Sequence, residues 1–130
     1  MMSRIFLIKW ILILLLSLTL KASLAAARLN PEAHYQEIAA KKYSGQTEVT
    51  VPDGTRCDIV TETHAIKVDF ADKWAEAIGQ CLNYSFQLNK KAGILLILES
   101  PKDEKHLIRV QSIIEHYKLP IDVLAIRAWE

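Results

Sequence analysis

Asp58, Lys67, Asp69, Lys73, Gln80 and Tyr84 all fall within one stretch, DGTRCDIVTETHAIKVDFADKWAEAIGQCLNY, running from Asp53 to Tyr84. Side chains alternate along a strand, so Arg56, Asp58 and Val60 share one face of one extended run, and Ala65, Lys67 and Asp69 share one face of the next. Asp58 and Asp69 can therefore converge. Two carboxylates meeting beside a lysine suit metal-dependent phosphodiester cleavage. Their oxygens hold Mg²⁺ or Mn²⁺, the ion polarises the phosphate and acidifies an attacking water, and the ammonium steadies charge in the transition state. The plainer reading of the same spacing is strand-end charge facing water.

Such a site needs elements to carry it. Pro31 to Tyr43 has a helical pattern, with Tyr35, Ile38, Ala39 and Lys42 on one side and Ser44-Gly45 as its stop. Gln46 to Val51 and Arg56 to Thr61 are β-branched runs around the turn signal Pro52-Asp53-Gly54, which predicts a hairpin. Ala65 to Phe70 alternates as a third strand beside the second. Asp72 is placed to cap a helix reaching about Leu88, with Trp74, Ile78, Cys81, Leu82 and Ser85 on one face and Lys73, Glu76, Gln80 and Tyr84 on another. Ile94 to Leu98 is an unbroken apolar run, expected of a strand covered on both faces. Ser100-Pro101 opens a last helix to about Lys118, with Leu107, Val110, Ile114 and Tyr117 inward, and Ile121 to Ile126 closes the chain. The predicted fold class is α/β, a mixed sheet flanked by helices in the order αβββαβαβ.

The first residues read differently. Arg4 and Lys9 make a basic start, Trp10 to Leu20 is nearly all apolar, and Ala22 to Ala27 is small. This pattern predicts a signal peptide over residues 1–27, with the domain over 28–130 and the product periplasmic or secreted. A retained membrane anchor is the rival reading; with the leader removed, no stable membrane span is expected. Loss of Arg4, Lys9 and Lys21 lowers the 16 basic residues to 13 against 15 acidic ones, net −2. That balance leaves no basic surplus for gripping nucleic acid by charge alone.

Export would carry Cys57 and Cys81 to a compartment where disulfides persist. A bridge between them and a pair of small buried apolar residues are both compatible with their positions. His64, just before the third strand, can act as a proton shuttle or extra ligand, though a lone loop histidine is more often exposed and inert. His34, His106 and His116 lack a matching acid at metal-binding spacing. The serines have no Gly-x-Ser-x-Gly context for a serine hydrolase.

The segment VTVPDGTRCDIVTETHAIKVDFADKWAEAIGQCLNY, followed by KKAGILLILE, resembles small exported bacterial proteins of the PD-(D/E)XK nuclease superfamily. The resemblance covers nearly all of the chain after the leader. It implies a restriction-endonuclease-like fold and a Mg²⁺- or Mn²⁺-dependent nuclease acting on DNA or RNA, with Asp58 the central metal ligand and Asp69 the second. Gln80 and Tyr84 match a Gln-x-x-x-Tyr pattern that positions substrate, Lys73 supplies a lysine moved from strand to helix, and Glu37 is the extra acid of some members. The superfamily's third-strand order is acid, any residue, lysine; here it is Lys67-Val68-Asp69. Three arrangements follow. Lys67 and Asp69 exchange roles, or Asp69 is the main acid with Lys73 as base, or Lys67 pairs with Asp58 and Asp69 in an ion cluster that leaves a non-catalytic binding protein of the same fold.

Overall fold

Ile94 to Leu98 is apolar at every position and therefore needs cover on both sides of a sheet. The computed structural model, which describes residues 3–25 and 28–130, supplies that cover. Five strands, β1 (Gln46–Thr50), β2 (Arg56–Val60), β3 (His64–Phe70), β4 (Lys91–Leu98) and β5 (Ile121–Arg127), lie side by side in chain order. β1, β2 and β3 pair antiparallel, whereas β3, β4 and β5 pair parallel. The sheet is mixed and the fold is α/β.

Four helices accompany it: α1 (Arg4–Ala25), α2 (Glu32–Tyr43), α3 (Trp74–Leu88) and α4 (Glu104–Tyr117). The alternation along β4 divides the core into two layers. Leu95 and Ile97 join Ile59, Ile66, Val68 and Phe70 under Tyr35, Ala39 and Ala40 of α2. Ile94, Leu96 and Leu98 point the other way, against Ala77 and Cys81 of α3 and Leu107 and Val110 of α4. The register places Lys67 beside Ile94 and Asp69 beside Leu96, so those two charged residues lie on the α3 side.

Several expected placements shift. Ile38 is 46% exposed, and the buried face of α2 is Tyr35, Gln36, Ala39 and Ala40. A polar residue turns inward there because Gln36 has backbone and side-chain partners to meet. Asp72 does not cap α3. It sits in a single 3-10 turn, Ala71–Lys73, and its carboxylate pairs with Arg28 at 2.7 Å. At the start of α4, Ser100 and Asp103 do form a reciprocal capping box. Tyr117 is 69% exposed rather than inward.

The chain from Arg28 is pinned to the domain. Arg28 stacks 3.8 Å above the Phe70 ring, and Glu99 accepts hydrogen bonds from the Leu29 and Asn30 N–H groups and the Tyr35 hydroxyl. Preceding this, α1 exposes its described side chains through Leu18, apolar ones included. No helix among the described residues is long and apolar enough to cross a membrane. The expected end of the leader at Ala27 lies outside the described residues.

Candidate functional site

Asp58 stands where the ladders on both sides of β2 are interrupted. The β1–β2 register joins Thr47 to Ile59 and Val49 to Cys57, while Glu48, between them, has φ 54°. That left-handed conformation costs a non-glycine residue on the order of 1–2 kcal/mol. Gln36 of α2 fills the gap, its Nε2 donating to Glu48 Oε1 at 3.0 Å and to the Asp58 carbonyl at 3.1 Å. On the other edge, the β2–β3 register consists of Ile59 with Ile66 and Val60 with Ala65. Beyond it the Val68 N–H donates to Asp58 Oδ2 at 2.7 Å. A side-chain carboxylate thus replaces a backbone acceptor, which fixes its position in the sheet.

The same oxygen takes the lysine. Lys67 Nζ lies 3.0 Å from Asp58 Oδ2, with side chains only 13% and 10% exposed. Asp69 is 5% exposed, and its carboxylate makes no hydrogen bond or ion pair among the described residues. Burial raises both acids above the usual carboxylate range against the opposing pull of Lys67. Burial works against the Lys67 ammonium too, but Asp58, then Asp69 and Glu32, outweigh it and its pKa is raised. Of the arrangements open for Lys67-Val68-Asp69, the direct pairing with Asp58 is formed.

The structure gathers most of the expected residues. Lys73, in the 3-10 turn before α3, lies within electrostatic reach of Asp69. Tyr84 is buried at 6% exposure beside Ala65, Val51 and Cys57, and its phenol feels Asp58 and Lys67. It belongs to the site's wall rather than to a solvated helix face. Gln80, one turn before it on α3, has an exposed side chain.

Glu37 does not join this group. It is exposed on α2 and lines a shallow hollow of about 280 Å³ with Ala40, Lys41, Gly45 and Thr47. The acid that does approach this cluster is Glu32, in the first turn of α2, within reach of Lys67, Asp58, Asp69 and Lys73. Five residues of helix rotate a side chain by about 140°, enough to separate the two glutamates completely. Glu32 is also raised, chiefly by burial. Its signal in the sequence was its place directly after Pro31, at a helix N-terminus that favours acids.

Cys57 and Cys81 are not bridged. Both are free and fully buried, and burial lifts their thiols to about 11 and about 12, so neither is a thiolate at neutral pH.

Three raised carboxylates contribute to the pH dependence of stability, against the lowered Asp53, Asp72 and Glu104. An acid whose folded pKa exceeds its unfolded value binds its proton more tightly when folded, so stability is highest below that window and falls as pH rises through it. Glu32, Asp58 and Asp69 act in this sense. Asp72, lowered despite its burial by the bond and charge of Arg28, acts oppositely: its contribution is present above the ordinary aspartate pKa and lost as pH falls through its depressed pKa. Urea midpoints are therefore expected to rise as pH falls through the window in which Glu32, Asp58 and Asp69 take up protons, declining again in stronger acid. A midpoint that falls steadily from neutral pH downward would contradict this balance.

No protein-family model, curated protein or solved structure matches the chain. Among the described residues, no group of three or more His, Cys, Asp or Glu is disposed to hold a metal ion.

Proposed function

We propose that the domain is a binding module without nuclease activity on a restriction-endonuclease-like core, its Asp58 site held together by an internal lysine in place of a divalent ion. One observation carries this reading: the Lys67 ammonium lies 3.0 Å from Asp58, on the oxygen already taken by the Val68 N–H. A metal does not fit beside it. At about 4 Å and an effective dielectric near 20, a fixed ammonium repels a cation by roughly 4 kcal/mol for each charge on the metal. The cluster is instead a structural ion group, with Gln36 and Tyr84 completing its walls. The slightly acidic balance of residues 28–130 favours a protein partner over nucleic acid. The leader pattern before Arg28 supports a periplasmic or secreted module.

A second reading, a Mg²⁺- or Mn²⁺-dependent nuclease, is favoured by Glu32. It gives the cluster three carboxylates, with Asp58 and Asp69, against Lys67 and Lys73. Incubating the full chain with labelled single- and double-stranded DNA and RNA, in Mn²⁺, Mg²⁺ or EDTA, separates the two. The binding-module reading expects no metal-dependent cutting. Cleavage that needs metal and disappears in Asp58→Ala would replace it with the nuclease.

A further inference from the structure

A second polar constellation occupies the opposite end of β3, where that strand begins. Thr63 Oγ1 lies 2.7 Å from His64 Nδ1, and His64 Nε2 lies 2.7 Å from Asp122 Oδ2. His64 is held rather than free, its side chain only 24% exposed. The parallel register aligns Ile66, Gly93 and Asp122 across three strands. Because Gly93 has no side chain, the imidazole can reach across β4 to β5; a Cβ there would lie 3.7 Å from His64 Cδ2 and 3.1 Å from Ile66 Cγ1. The turn before it is tied as well, with Thr61 Oγ1 accepting the N–H groups of Thr63 and His64.

The carboxylate settles the ring's tautomer. Asp122 can only accept when ionised, so Nε2 carries the proton and donates to it, leaving Nδ1 to accept from the Thr63 hydroxyl. Hydroxyl, imidazole and carboxylate then stand in the order nucleophile, base and orienting acid. These groups line a cavity of about 370 Å³ whose other walls include Tyr43, Ile66 and Leu124. That volume suits a small ligand with an apolar body.

We infer that Thr63, His64 and Asp122 form an acyl-transfer site for small esters, with the acyl chain against Ile66 and Leu124. Thr63 Oγ1 bonds to the ester carbonyl carbon while its proton passes to His64 Nδ1. The carbon–alkoxy bond then breaks, and the leaving alcohol takes that proton. Water attacks the acyl-threonine, again giving a proton to Nδ1, and Thr63 departs as the hydroxyl. The sum is ester plus water to acid plus alcohol. Asp122 holds the ring and balances its charge while it is protonated.

The test uses the full chain with p-nitrophenyl butyrate, reading nitrophenolate release and, by peptide mass spectrometry, a butyryl group on Thr63. Expected are release above buffer, the adduct on Thr63, retention in Thr63→Ser, and a fall of about 10²–10⁴-fold in His64→Ala. Thr63→Ala should abolish the adduct. Because Thr63 is exposed, its loss leaves the fold intact. Release no faster than buffer, or Thr63→Ala hydrolysing like the unaltered chain, overturns the assignment.

Discussion

Lys67→Met is expected to destabilise the folded chain by about 3–5 kcal/mol at neutral pH, the range for removing one partner of a buried ion pair. Methionine fills most of the space, so the loss measures charge rather than volume. Without the ammonium, Asp58 keeps only the Val68 N–H, and Asp69 and Glu32 lose the strongest opposing charge each of them feels. All three acids are already raised by burial; they would rise further. The penalty therefore shrinks as pH falls and the carboxylates take up protons. Adding Asp58→Asn to the variant should recover part of the loss, since the amide oxygen still accepts the Val68 N–H and carries no charge. Urea unfolding at neutral pH and near pH 5 checks both points. A loss under about 1 kcal/mol would mean that the pair behaves as a solvated surface contact.

Strand alternation made half of this site readable beforehand. Period two along β2 and β3 put Asp58, Lys67 and Asp69 on one face, and the apolar run of β4 required a sheet covered on both sides. The turn at Pro52-Asp53-Gly54 and the element order follow from local signals of the same kind. Other features depend on how elements approach one another. The choice between Glu32 and Glu37 turns on the angle at which α2 meets the sheet, which no periodicity encodes. Gln36 turning inward in place of Ile38 depends on a broken ladder at Glu48 and Asp58, visible only once β1 and β2 are paired. The link from His64 to Asp122 joins residues 58 positions apart through a parallel register, and parallel pairings leave little local trace. The cysteines illustrate the same limit: both are buried, but Cys57 packs with Val51, Ala65 and Tyr84 while Cys81 joins the α3–α4 layer.

Lys67→Glu should have the opposite character to the methionine change. It brings a fourth carboxylate beside Glu32, Asp58 and Asp69 and removes the cation that keeps a divalent ion out. Without metal the variant should be less stable than the unaltered chain, because like charges then crowd a buried site. With Mn²⁺ it should recover. A ligand that binds only the folded state at a hundredfold excess over Kd contributes about 2.7 kcal/mol, a shift of roughly ten degrees in Tm for a domain of this size. Thermal unfolding of both chains across a Mn²⁺ titration, each repeated with EDTA, is thus the most direct measurement. The account predicts a metal-dependent rise in Lys67→Glu and none in the unaltered chain. A comparable rise in the unaltered chain, abolished by Asp58→Ala, would contradict it and show that the ammonium leaves room for a metal ion.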